Sequence, residues 1–205
     1  MTISLKTRNL PLVTAFVVLN YIGFAFVNRL PWQFLQEVDY SKGALLFKNP
    51  LIAVATHLGI LILCFVIPVN LKYMIIFWSL KNPLPGSRVF SELAVEDQRI
   101  DIKELEGRYG KLPTEPREQN ALWYKIYKEK QNDKIINSSH GQWLLLREMA
   151  VLSLIFMLLL IPINLFINFG KIANIYGIIL FAQYMIIRQA AINTAERFTC
   201  NVIAR

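Results

Sequence analysis

The sequence predicts an all-α membrane protein, a four-transmembrane-helix bundle with a mostly helical cytoplasmic loop between helices 2 and 3. Three observations carry that expectation. Of 205 residues, 55% are hydrophobic and only 18% charged, and the mean hydropathy is +0.40, too apolar for an ordinary soluble domain of this length. Several stretches free of Asp, Glu, Lys and Arg approach the roughly 20 residues that a spanning helix requires. The basic residues then fall almost entirely on one side of the alternation that those stretches impose.

The first hairpin is expected over residues 1–71, with spans at 10–27 and 51–71 and a short outer loop at 28–49. Residues 10–27 follow Lys6 and Arg8 as the core of a signal peptide would. They end on Phe24-Ala25-Phe26-Val27-Asn28-Arg29, without a small-residue cleavage pattern, so a retained helix is expected. The outer loop carries Pro31, Trp32, Phe34, Tyr40 and Phe47, a composition suited to the headgroup level. Pro68 is expected to kink the second span near its inner face, with the helix continuing through Trp78.

Residues 72–148 are expected to form the cytoplasmic helical loop. Asn82-Pro83-Leu84-Pro85-Gly86 breaks the chain, Asp101 is placed to cap a helix bearing Ile102, Leu105 and Tyr109 on one face, and Gly110 stops it. Thr114-Glu115-Pro116 opens a second helix running to about Asn132, with Leu122, Trp123, Ile126 and Tyr127 as its apolar stripe. From His140 onward no breaker precedes the third span, so that helix is expected to project below the bilayer.

The second hairpin is expected over 149–205, with spans at 149–169 and 172–187 and a short cytoplasmic C-terminal helix. Pro162 is expected to bend the third span. The turn at Gly170-Lys171 demands a tight antiparallel pair. The fourth span is short, roughly 24 Å of helix, and relies on Lys171 and Arg188 snorkelling to the two interfaces. With both termini inside, eighteen of the 22 Lys and Arg residues are cytoplasmic and four are outside, the bias that the positive-inside rule gives a membrane protein with an even number of spans.

Charge and motif content narrow the function classes. The net +8 suggests nucleic acid at first sight, yet residues 72–148 hold thirteen basic against eleven acidic residues and lack an electrostatic footprint for direct contact. Cys64 and Cys200 show neither disulfide-framework nor zinc spacing. Glu92, Glu96, Asp97, Asp101 and Glu104 lack the spacing of a calcium loop. No nucleophile elbow, Walker A, HExxH or dinucleotide fingerprint occurs, so no catalytic residue, metal or cofactor is expected.

The spans contain Asn20, His57, Asn70, Asn164 and Gln183, which can line a pore or bond helix to helix. Amides within spans more often do the second. His57 is read as hydrogen-bonding near the outer end rather than as a proton or metal site. The near-repeat Ile67-Pro68-Val69-Asn70-Leu71 and Ile161-Pro162-Ile163-Asn164-Leu165 is read as two bends rather than a transport site. Small residues four apart, Ala55/Gly59 and Ala173/Gly177, permit close helix approach, and four spans bury few faces alone, so a homo-oligomer is expected. In the loop, Trp123, Tyr124 and Tyr127 with interleaved Lys are read chiefly as packing.

At Leu84-Pro85-Gly86-Ser87-Arg88-Val89-Phe90, Asp97-Gln98-Arg99-Ile100-Asp101, Leu112-Pro113 and Glu118-Gln119-Asn120-Ala121-Leu122-Trp123-Tyr124, the loop resembles a family of uncharacterised bacterial four-span proteins. The build is also similar to membrane subunits of anti-phage systems, the Kiwa membrane subunit and the ancillary membrane proteins of type VI-B CRISPR among them. The resemblance implies no chemistry.

The expectation is therefore a non-enzymatic oligomeric subunit that senses a membrane event or relays a response to a cytoplasmic protein, in anti-phage defence. Its partner surface is expected at Arg88, Phe90, Arg99, Asp101, Asn120, Trp123, Tyr124 and Tyr127. The alternatives are a pore-forming effector and a membrane enzyme with an inner-surface site.

Overall fold

A computed structural model describes residues 4–29, 50–167 and 171–205, and among the described residues there is helix and connecting chain but no strand. The outer loop from residue 30 onward and the Gly170 turn lie outside them, as do the side chains of Pro162 and Asn164.

Helix α1 spans Leu5–Arg29. Ser4 starts it: its hydroxyl accepts from the Thr7 backbone N–H at 3.2 Å, answering one of the donors that a helix start leaves without a partner. Helices α2, Pro50–Val66, and α3, Val69–Phe77, do not form the single span expected over 51–71. The chain turns by 92° between them, because Pro68 has no N–H for an α2 carbonyl and sits extended at φ −58°, ψ 143°. The anticipated kink is an elbow, and α3 runs across the bundle instead of along it. It ends on Trp78 in the left-handed region (φ 50°), whose N–H bonds the Met74 carbonyl.

Two short turns at Pro85–Arg88 and Val89–Leu93 follow. Helix α4, Ile102–Tyr109, begins where the Asp101 carboxylate accepts from the N–H groups of Lys103 and Glu104 at 2.8 and 3.2 Å, and stops at Gly110 with φ 78°. Helix α5 is Pro116–Lys130.

The long helices are α6, Lys134–Ile167, and α7, Lys171–Ile203, an antiparallel pair that forms the spine of the molecule. The separate C-terminal helix expected after residue 187 is absorbed into α7, since nothing from Arg188 to Ile203 breaks it. At 34 and 33 residues and ~1.5 Å per residue, each is about 50 Å long, well beyond a hydrocarbon core of roughly 30 Å. Among the described residues, two helices are long and apolar enough to cross a membrane, residues 134–160 of α6 and 174–203 of α7. A third qualifies if the bent α2–α3 pair counts as one span, so the number is smaller than the four expected.

Exposed apolar side chains divide the molecule along this spine. Leu12, Leu19, Ile22 and Phe26 of α1, Leu58, Ile62 and Phe65 of α2, Leu158 of α6 and Ile178, Phe181 and Ile186 of α7 all face outward. Beyond Ile186 the rule inverts, and α7 exposes only Gln189, Asn193 and Arg197. A band of exposed apolar surface thus gives way, near Arg188, to a head that exposes fewer large apolar side chains, Leu80, Val95, Tyr124 and Ile135 among them. The head has its own core, in which Val89, Phe90, Leu105, Trp123 and Ile126 pack on Ile136, Ala195, Phe198 and Val202 of the spine.

Candidate functional site at the membrane boundary

Lys72, Arg147 and Glu148 meet where the exposed apolar band ends. The elbow at Pro68 carries α3 across α6, and Lys72, the one charged residue of α2 and α3, lands on Glu148. Its ammonium donates to Glu148 Oε2, which also accepts from the Cys64 thiol at 3.2 Å. Glu148 Oε1 accepts from Arg147 Nε at 3.1 Å and Nη2 at 2.5 Å. The Arg147 guanidinium lies 5.8 Å from the Tyr73 ring centre, and the Lys72, Arg147 and Glu148 side chains are 6, 3 and 13% exposed. Charges so buried persist only when paired, and here one carboxylate faces two cations.

The node forms one wall of a cavity of about 240 Å³ between α1, the α2–α3 elbow and α6. Lys6 and Asn9 line it from α1, and Leu10, Val13, Leu61 and Phe65 make its apolar side. Asn9 also donates from Nδ2 to the Gly141 carbonyl at 2.7 Å, fixing α1 against α6. A Cβ on Gly141 would stand 2.6 Å from Arg8 Nη2, so a larger residue there would displace the tip of the Arg8 side chain. Beside the node, the Arg188 guanidinium stacks 3.7 Å from the Trp78 ring centre. Trp78 Nε1 donates to the Tyr184 hydroxyl at 3.0 Å, and that hydroxyl donates to the Ile75 carbonyl at 2.7 Å. Aromatic and basic side chains in such company are typical of a membrane interface.

The loop residues expected to face a partner largely serve the head itself. Arg88 pairs with Glu196 of α7, and Phe90 is buried while its N–H and that of Ser91 donate to Gln119 Oε1. Arg99 pairs with Asp97 at 2.6 Å and donates to Asn201 Oδ1 at 2.9 Å, and its side-chain and backbone bonds to Asp97 hold that carboxyl down at about 2. Asp101 is the α4 cap. Asn120 lies under Gly86, where a Cβ would come within 2.5 Å of its Oδ1. Trp123 donates from Nε1 to the Thr199 carbonyl at 3.1 Å, stands edge-on to Phe198 and stacks on Tyr127, whose hydroxyl is 3.1 Å from His140 Nδ1. Lys130 donates to the Val202 carbonyl at 3.2 Å, at the end of α7. Tyr124 alone of the set presents a large exposed ring, flanked by Lys128.

Of the span polar residues, Asn20 and Gln183 come together: Gln183 Nε2 donates to Asn20 Oδ1 at 3.1 Å and to Ser153 Oγ at 3.0 Å, joining α1, α7 and α6. Tyr176 donates to the Asn20 carbonyl at 2.7 Å. His57 stands apart, its ring 6.2 Å from that of Tyr21, and Asn70 is exposed on α3. Among the described residues, no group of three or more His, Cys, Asp or Glu is placed to hold a metal ion.

Sequence reasoning missed the boundary node because Lys72 and Arg147 were counted only as flank charges. The available signal was Glu148, an acid set directly against the longest apolar run. No protein-family model, no curated protein and no solved structure matches the chain, and the resemblance of its loop rests on the loop residues alone.

Proposed function

We propose that the chain is a non-enzymatic, oligomeric subunit of the bacterial inner membrane that relays a membrane event to a cytoplasmic protein, with anti-phage defence as its setting. In this reading the chain crosses four times: α1, the outer part of α2 and the outer halves of α6 and α7 lie in the bilayer, and the head and both termini lie in the cytoplasm.

One observation carries the reading. Lys72 on the lipid-facing elbow is bound to Glu148 on α6, and α6 then continues without a break into the packed head. A displacement of the elbow in the bilayer therefore acts on the same rigid helix that supports Trp143 and Ile136 in the head core. A loop tethered by flexible ends would absorb such a displacement; one packed along the spine transmits it. The positions left for a partner are those the head does not use, chiefly Tyr124 and Val95.

The test is photocrosslinking in cells from a photoreactive amino acid at Tyr124, Val95 or Arg108 of the full chain. A discrete adduct with another protein, lost on Lys72→Met, is expected. No adduct from any of the three positions would overturn the relay.

A further inference from the structure

The boundary cavity has an unbalanced charge. Lys6, Lys72 and Arg147 line it with Glu148 as the only carboxylate, a surplus of two positive charges beside a low-dielectric wall of Leu10, Val13 and Leu61. Arg147 spends Nε and Nη2 on Glu148, and its Nη1 makes no hydrogen bond among the described residues. Lys6 has no ion-pair partner among them. One wall of the cavity is thus built to take an anion.

The other walls dictate what carries the anion. Leu10, Phe65, Val66 and Val69 line the cavity and are also 40, 61, 71 and 45% exposed on the lipid-facing surface. A polar ion from water would leave that apolar rim without a partner, whereas an amphiphile covers it with its chains. The cavity, at about 240 Å³, suits a headgroup rather than a whole drug-sized molecule. Basic pockets between helices at the inner face are a known way of holding anionic lipid headgroups.

We propose that this cavity binds the phosphate of an anionic glycerophospholipid, with Lys6, Arg147 and Asn9 around the phosphate and the acyl chains lying along Phe65 and Val66. The proposal rests on the membrane reading above and deepens it, since it supplies a ligand at the elbow joint through which the relay would work.

The experiment is native mass spectrometry of the full detergent-purified chain titrated with phosphatidylglycerol or phosphatidylcholine, for wild type, Lys6→Gln and Lys125→Gln, the last a solvated head lysine. Lys6 is exposed and makes no structural ion pair, so its removal leaves the fold intact, which a thermal melt verifies. Phosphatidylglycerol retained in preference to phosphatidylcholine, with affinity reduced about fivefold by Lys6→Gln and unchanged by Lys125→Gln, is the expected result. Equal retention of both lipids, or equal loss in both variants, overturns the proposal. Displacement of phosphatidylglycerol by millimolar inorganic phosphate overturns its lipid part, since the site is then one for free phosphate. Alkaline carbonate extraction separates the two readings: a chain released from membranes refutes the membrane reading itself, and a chain retained in membranes without lipid preference refutes only the pocket.

Discussion

Replacing Glu148 by Gln removes the sole carboxylate from a node that buries two cations. At an effective dielectric of ~20 and ~4 Å separation, each cation loses about 4 kcal/mol of attraction, and removing one member of a buried pair generally costs about 3–5 kcal/mol. Lys72 sits on a short helix at the edge of the exposed apolar band and its long side chain can swing its ammonium toward water, which moves the expected cost to the low end, about 3 kcal/mol. For a chain of this size that corresponds to a fall of roughly 6–12 °C in Tm, read by thermal unfolding of the detergent-solubilised protein. Lys72→Met combined with Glu148→Gln should recover at least ~1 kcal/mol relative to the sum of the single variants, because the stranded ammonium is then gone. A Tm for Glu148→Gln within one degree of wild type, or strict additivity of the two changes, would refute the claim that the node ties the elbow to α6.

Three further outcomes test the head. Trp123→Ala should destabilise by about 3–5 kcal/mol, with faster proteolysis between α4 and α5, as it deletes the packing on Phe198 and Tyr127 and the bond to Thr199; Trp123→Phe should keep most of the stability. Gly86→Ala should cost about 1–3 kcal/mol in thermal unfolding, since the new methyl meets Asn120 and Trp123, and Asn120→Ala should relieve part of the loss. The Asp97 carboxyl sits at about 2, below its unfolded value, so its contribution is present above pH ~4 and is lost as pH falls toward 2. Asp97→Asn should flatten that acid limb in melts recorded from pH 7 down to 2, and an unchanged limb would count against the Arg99 pairing.

What the sequence disclosed depended on how local the determinants were. Helix α4 was legible because Asp101 and Gly110 act on their own neighbours, and α5 because Pro116 fixes its first turn. The elbow was foreseen only as a kink: Pro68 marks where hydrogen bonding fails, but the 92° turn is completed by Lys72 finding Glu148, a residue 76 positions away. The loop motif illustrates the same limit. Leu84-Pro85-Gly86 and Asn120 to Trp123 are adjacent in space because Gly86 lets the backbone settle on the Trp123 ring, a contact between two parts of the motif that their separation in sequence hides. The amide pair Asn20 and Gln183 was expected to be either pore or glue. Which amide would meet which depended on how α1 and α7 pack, and in the fold they bond across the bundle.

The distribution of charge links the two proposals. Residues 72–148 carry a surplus of only two positive charges, and one of these is the excess of Lys72 and Arg147 over Glu148. With the node set aside, residues 72–148 are within one charge of neutral, too balanced by themselves to gather a polyanion. Beside the elbow, by contrast, Lys6, Lys72 and Arg147 line one cavity with Glu148, a surplus of two positive charges. An anionic lipid bound there through Lys6 and Arg147 would add a negative charge to a node that sets one carboxylate against two cations, and so hold Lys72, and with it α3, more firmly on α6. Raising the anionic lipid content of the bilayer should then raise the stiffness of the very joint that the relay uses. Lipid composition becomes the variable to which such a device responds, and a head-directed crosslink whose yield is the same in anionic and zwitterionic bilayers would break the link between the two proposals.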